Sequence, residues 1–358
     1  MKNLPTLHIN TGIMRSNLAR IQKKLAVMSV DLRPHVKTIH DPALSSVLTD
    51  LGIDKISVSN IDMLQAFVVN GWQDICLAFP FSMQWLDDVN HLITDFPDLK
   101  LTLYVDHLDQ CHALRKLKKA VQVCVEIDSG HQRSGFHWKH ESRVLDCIKM
   151  LSDSEHEFAG LTSHFGFLYQ CLDKDEILAE SMNPMMKLLQ LKEHLEVELS
   201  QSIPVIIGDT PSLYAMDYFD QISEIRAGNF QFNDLMMHQK GLCSTNDLAC
   251  VIEAVVVSKY DEDSRFVLHC GSVHLSKDAV DHPHIKYGWI AKKQGAWFKA
   301  PFVDTWIDQL SQEHAVVKTK PDVLKNIKIG DTVFVLPAHA CLTMDAMHHK
   351  QRVHFVNL

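Results

Sequence analysis

The chain has 358 residues, enough for two ordinary domains or for one α/β barrel of ~250 residues with a smaller partner. Its 46% hydrophobic and 22% charged residues are globular proportions and exclude disorder, collagen or coiled coil over the whole length. Lysine and arginine number 35 against 44 aspartates and glutamates, and the net charge of −9 argues against nucleic acid or an anionic membrane as a general partner. A local basic patch around a single phosphate remains compatible with that balance.

The opening Met1-Lys2-Asn3-Leu4-Pro5-Thr6 lacks the apolar core of a signal peptide, and no uncharged apolar run approaches the ~18 residues of a membrane span. The nine cysteines are scattered, odd in number and without a CxxC pair. That usage fits reduced thiols, so a cytoplasmic location is expected.

Short β-rich runs are predicted at 35–39, 56–59, 75–79, 101–105, 121–127, 158–163, 205–207 and 222–225. Between them lie helical stripes. Met14, Leu18, Ile21, Leu25 and Met28 recur at spacings of four and three. Leu44, Val47, Leu48 and Leu51 repeat the stripe after Asp41-Pro42, an N-cap followed by a first-turn proline. Met63, Leu64, Phe67 and Val68 do so between Asn60 and Gly71. Strands alternating with helices predict parallel β-α units, and eight of them close economically into a (β/α)8 TIM-type barrel. A doubly wound open sheet is the alternative, but the GxGxxG turn that would favour it is absent. Beyond about residue 245, strands are expected at 251–258, 265–269 and 332–336 without an amphipathic helix between them. The expected organisation is α/β: a barrel over 11–245 and a mostly-β domain over 246–358.

Barrels carry their chemistry at the C-terminal ends of their strands. Lys37 stands there in Arg33-Pro34-His35-Val36-Lys37-Thr38; it reads as a Schiff-base lysine or as a solvated strand-end lysine. Arg133 lies in the polar loop Asp128-Ser129-Gly130-His131-Gln132-Arg133-Ser134-Gly135, aimed across the mouth or paired with Asp128. His164 ends the sixth strand, where a hydrogen-bonded core histidine is the plainer reading in a chain with 22 histidines. Gly208-Asp209-Thr210-Pro211-Ser212 and Arg226-Ala227-Gly228-Asn229 end the last two strands, where barrels bind phosphate. In Pro337-Ala338-His339-Ala340-Cys341-Leu342-Thr343, an extended chain would put His339 and Cys341 on one side, an N/S pair that suits zinc. The alternative there is a buried thiol beside a surface histidine.

Together these segments resemble fold-type III enzymes dependent on pyridoxal 5′-phosphate, and most of all the D-serine dehydratase and D-threonine aldolase branch of the alanine racemase-like superfamily. The resemblance begins at Leu4-Pro5-Thr6-Leu7-His8-Ile9-Asn10 and spans nearly the whole chain. It is most specific at Arg33-Pro34-His35-Val36-Lys37-Thr38 and next at Pro337-Ala338-His339-Ala340-Cys341. It implies that Lys37 carries the cofactor, that Thr210, Gly228 and Asn229 hold its phosphate, and that His164 lies against its ring. Tyr169 and Arg226 are rival partners for the ring nitrogen, Arg133 lines the site, and His339 with Cys341 binds zinc. It further implies that residues 1–10 add a strand to the C-terminal domain and that the protein is a homodimer.

The family's Asp-Ala-Gly-x-Lys-x-Leu-Ser pattern stands here as His269-Cys270-Gly271-Ser272-Val273-His274-Leu275-Ser276, without its aspartate and lysine. The expected activity is a zinc-assisted lyase acting on a small D-β-hydroxy amino acid, by elimination or by aldol cleavage. An amino-acid racemase, a non-catalytic pyridoxal-phosphate-binding protein and a metal-binding barrel without that cofactor are the rivals.

Overall fold

A computed structural model describes residues 4–282 and 284–356. In chain order its strands are β1 (Thr6–Asn10), β2 (Asp31–Leu32), β3 (Lys55–Val58), β4 (Asp74–Pro80), β5 (Lys100–Val105), β6 (Gln122–Asp128), β7 (Phe136–His137), β8 (Glu157–Ser163), β9 (Val205–Ile207) and β10 (Glu224–Ile225). There follow β11 (Cys250–Tyr260), β12 (Arg265–His269), β13 (Gly288–Gln294), β14 (Trp297–Leu310), β15 (His314–Lys318), β16 (Thr332–Pro337) and β17 (Val353–Val356).

The protein is α/β, and its first sheet is parallel, in the order β2-β10-β9-β8-β6-β5-β4-β3, with β7 beside β6. Its two ends meet through a parallel bridge between His35 and Ser57, supported by the Ser57 N–H donating to the Pro34 carbonyl at 2.9 Å. Helices separate these strands as the apolar stripes predict. Thr11–Val27 starts at Asn10, whose side chain accepts the Ile13 N–H, and buries Met14, Leu18, Ile21 and Leu25. Each such side chain removed from water contributes about 1.5–3 kcal/mol. Ile61–Val69 likewise begins at Asn60 and buries Met63, Leu64, Phe67 and Val68.

One expected strand is displaced. Residues 36–38 form a 3-10 turn rather than a strand, and the strand pairing lies earlier, at β2. The His35 ring accepts the Lys37 N–H and caps the turn, so the chain curls as it leaves the sheet.

The second sheet is antiparallel except for one pair. The path β12-β15-β14-β13-β16-β11 is closed by β11 pairing with β12, which makes a six-stranded barrel. β1 pairs antiparallel with β11 and parallel with β17. Two four-residue helices, Ser272–Leu275 and Pro321–Leu324, lie between the expected strands, contrary to the sequence expectation, and a longer one, Ala340–His348, follows β16. Ala340–His348 fixes the second candidate segment. His339 is its N-cap residue in extended conformation, and Cys341 lies in its first turn. The two side chains therefore converge by a cap-to-first-turn geometry, not by strand alternation.

Candidate active site

A cavity of about 650 Å3 opens at the C-terminal ends of the parallel strands. Lys37, Arg133, His164 and Tyr169 line it, as do Thr210, Arg226, Gly228, Asn229, His339 and Cys341.

The floor is ionic. Glu224 on β10 receives Nε of Arg33 at 3.0 Å and Nε of Arg226 at 2.5 Å, while Arg33 also reaches Asp74 at 2.5 Å. Burial opposes ionisation of Glu224, but the two guanidiniums and Lys55 outweigh it and hold the carboxyl down at about 2. Arg226 donates onward to the Tyr104 hydroxyl at 2.9 Å. Its charge is thus committed beneath the cavity, which it also lines.

On one wall stand the groups of the last two parallel strands. Thr210 and Asn229 are buried, and the Thr210 hydroxyl accepts the Phe230 N–H at 3.3 Å. A Cβ at Gly228 would lie 2.8 Å from the His35 carbonyl, so this turn packs against the segment carrying Lys37 only without a side chain. Tyr169 hydrogen-bonds Thr210 and stacks on His339, ring centroids 6.3 Å apart. It therefore stands between the Thr210 wall and the His339 segment. His164 contacts the Gly208 carbonyl through Nδ1, and burial, followed by the charges of Arg133 and Lys37, drives it neutral with a pKa of about 3.

At the rim, the Asp278 carboxylate meets His339 Nδ1 at 2.5 Å, and the ring also hydrogen-bonds Cys341. Burial disfavours the imidazolium, yet Asp278 and Cys341 together raise His339 well above its usual value, while His339 draws the Cys341 thiol down. The sulfur lies 3.2 Å from the Thr38 hydroxyl. One carboxylate ties this rim to the opposite wall: Asp234 Oδ2 accepts from Asn229 Nδ2 at 2.8 Å and from the Ala340 N–H at 3.0 Å.

Arg133 is not paired with Asp128, whose Oδ1 instead accepts the N–H groups of Gly130 and Gln132. The nearest carboxylate oxygen to its guanidinium is Glu126 Oε1, at 3.9 Å. Glu126, Tyr104, Asp278 and Thr38 were not singled out from the sequence. In-facing alternation along β6 would have pointed to Glu126. Asp278 carries no local signal.

The donor set suits a phosphorylated, lysine-bound cofactor. It offers a lysine amine, a buried threonine hydroxyl, a close-packed glycine turn and an asparagine. Two buried acceptors in residues lining the cavity, Asn229 Oδ1 and Glu126 Oε2, have no hydrogen-bond partner among the described residues. The imidazole–thiol pair, with a carboxylate behind the histidine, suits zinc. Among the described residues no third histidine, cysteine or carboxylate joins it at ligating distance.

Comparison with known proteins agrees with the resemblance drawn from the sequence. D-threo-3-hydroxyaspartate dehydratase of Delftia sp. (strain HT23) is 27% identical over 95% of this chain and 91% of its own. D-serine dehydratase of Dictyostelium discoideum is 24% identical over 95% and 91%. A solved cysteine-to-alanine variant of D-threo-3-hydroxyaspartate dehydratase, described as metal-free, superposes with a TM-score of 0.87 at 25% identity over 96% and 92% of the two chains. Residues 249–353 match the "Putative serine dehydratase domain" and residues 9–234 the "Alanine racemase, N-terminal domain". With more than half of its length so matched, the chain belongs to the alanine racemase N-terminal domain family.

Proposed function

We propose that the protein is a pyridoxal-phosphate-dependent lyase that eliminates the β-hydroxyl of a small D-β-hydroxy amino acid. One observation carries this reading: Lys37 and Cys341 line the same cavity, and the hydroxyl of Thr38, next to that lysine, touches the Cys341 sulfur at 3.2 Å. A lysine able to hold the cofactor and a thiol able to hold a Lewis acid thus face one substrate. The dehydratase relatives support elimination over aldol cleavage.

Thr210, Gly228 and Asn229 would take the cofactor phosphate, with His164 against the ring. Tyr169 and Arg226 remain the partners for the ring nitrogen. Tyr169 is already committed to Thr210, and Arg226 to Glu224 and Tyr104. Bound there, the cofactor supplies the electron sink that lets the substrate α-proton leave. Lys37, exposed into the cavity, is positioned to take that proton as a general base. Arg133 offers a guanidinium to the substrate carboxylate. Zinc on His339 and Cys341 would supply Lewis acidity toward the departing β-hydroxyl. Asp278 orients His339 for that task, and metal uptake would displace the proton shared by His339 and Cys341.

The parallel sheet, with its ends joined at His35 and Ser57, supports a (β/α)8 barrel over 11–245, and the six-stranded closed sheet supports a separate domain over 246–358. Nine free cysteines favour a cytoplasmic home. Among the described residues no helix is long and apolar enough to cross a membrane. Phe79 and Leu342 line the cavity although 52% and 42% exposed, which favours a homodimer whose partner covers the mouth.

The test is the visible spectrum of protein supplied with pyridoxal phosphate, before and after borohydride. A yellow band bleached by borohydride in wild type and missing in Lys37→Ala supports the reading. A protein that stays colourless overturns it.

A further inference from the structure

Glu126 is a buried ionisable group of the cavity that the mechanism above does not use. It lies on β6 two residues beyond Cys124, which packs with Tyr104 and Ile206. Period-two alternation puts both side chains on one face of the strand, and Glu126 lines the cavity while remaining 4% exposed. Its Oε1 accepts the Ser134 hydroxyl at 3.0 Å. Its Oε2 is buried and has no hydrogen-bond partner among the described residues. The neighbour across the ladder, Thr162, spends its proton on the Tyr104 hydroxyl at 3.2 Å.

A buried carboxylate oxygen left without a donor forfeits its hydration with nothing in return, so it favours any arrangement that supplies one. The charged donor closest to it is Arg133, whose Nη2 stands 3.9 Å from Oε1, too far for a hydrogen bond, on a side chain 54% exposed. An inward movement of about 1 Å would bring the guanidinium within bonding distance of the carboxylate. The guanidinium has five N–H donors on more than one edge, so pairing with Glu126 leaves donors facing the cavity.

We infer that Glu126 is a positioning residue for Arg133: when a D-amino acid enters, Arg133 swings inward, pairs with both oxygens of Glu126, and presents its remaining N–H groups to the substrate carboxylate. This rests on the functional reading above and deepens it. Without Glu126 the guanidinium would stay at the solvent edge of the mouth, where a charge pair is worth little.

The arrangement has a pH signature. Burial raises the Glu126 carboxyl to about 6; Ser134 and Arg133 oppose the rise, and Asp106 and Asp128 add to it. Asp106, at the end of β5, accepts the Gly135 N–H at 3.0 Å, and Asp128 is on β6 itself. β8 contributes Thr162, which does not titrate. Closure needs the carboxylate form, so substrate binding releases a proton whenever Glu126 is protonated. Affinity is therefore full above about pH 6 and falls as the pH drops below it.

The experiment uses protein loaded with pyridoxal phosphate and D-alanine, which has no β-hydroxyl to eliminate, with binding followed by calorimetry between about pH 5 and pH 8. In wild type the affinity falls below a midpoint near 6. Glu126→Gln binds about tenfold more weakly at the alkaline end and loses the midpoint. Combined with Arg133→Met it adds little to the Arg133→Met loss, because the two residues act as one unit. Glu126→Gln with wild-type affinity and pH profile overturns the inference alone. Wild-type protein that takes up cofactor yet binds no D-alanine overturns the functional reading and this inference with it. If Glu126→Gln does not fold, Ser134→Ala decides: losing that hydroxyl moves the midpoint upward, and an unmoved midpoint overturns the inference.

Discussion

The Asp278 carboxylate and the His339 ring, 61 residues apart in sequence, meet at 2.5 Å on the rim of the cavity. This contact fixes which imidazole nitrogen is left to face Cys341. Asp278 lies two residues beyond the segment His269-Cys270-Gly271-Ser272-Val273-His274-Leu275-Ser276, where the expected aspartate is missing. That segment still braces the helix of Cys341, since the Thr343 hydroxyl donates to the Leu275 carbonyl at 3.3 Å.

Replacing Asp278 by asparagine should therefore weaken zinc binding about 10- to 100-fold while leaving the cofactor spectrum intact. Competition with a coloured chelator measures the metal term separately from pyridoxal phosphate.

Cys341→Ala should abolish elimination from the D-β-hydroxy amino acid substrate without loss of the cofactor band. Treatment of wild type with a strong chelator should do the same, and added zinc should restore activity only where Cys341 is present. Full activity after complete metal removal would remove zinc from the mechanism.

Glu224→Gln would leave Arg33 and Arg226 buried with their shared carboxylate gone. Breaking such a pair from one side costs about 3–5 kcal/mol, which calorimetric or chemical unfolding would register. In wild type the depressed carboxyl of Glu224 has a definite pH window. Its folded value of about 2 lies below its ordinary value of 4.5, so its contribution is present above about 4.5 and is lost as the pH falls toward 2. The Glu224→Gln variant should lack that part of the acid sensitivity.

Gly228→Ala should damage both fold and cofactor binding. The added methyl meets the His35 backbone oxygen at 2.8 Å, which no side-chain rotation relieves, and the strain should cost about 1–3 kcal/mol. Cofactor affinity, read by equilibrium dialysis, should drop along with Tm because the same turn lines the cavity.

The alternation of strands and helices was legible because each element carries its own period. Val205–Ile207 and Arg265–His269 fall where the apolar runs place them. The exit from β2 was misread because Val36 and Ile39 suit a strand, while the cap that His35 places on the Lys37 N–H turns the chain instead. His339 and Cys341 were legible by residue type and spacing, but not by geometry. A strand and a capped helix both bring such a pair to one side, and only the helix Ala340–His348 shows which applies. Glu126 and Asp278 were hidden for another reason. A single acid among 44 says nothing until tertiary contact sets it beside Arg133 or His339.

β1 is seated between β11 and β17, so residues 7–10 pair in register with residues 353–356. A strand that leaves the ribosome early must wait for one made hundreds of residues later before its outer edge is covered. Until then Leu7 and Ile9, fully buried in the finished protein, belong to an open edge able to pair with the wrong neighbour. Assembly of the second sheet is thus expected to be the late, long-range step of folding. Changes at Thr6–Asn10 or Val353–Val356 should then lower the yield of folded protein in cells more than they lower the stability of molecules already folded.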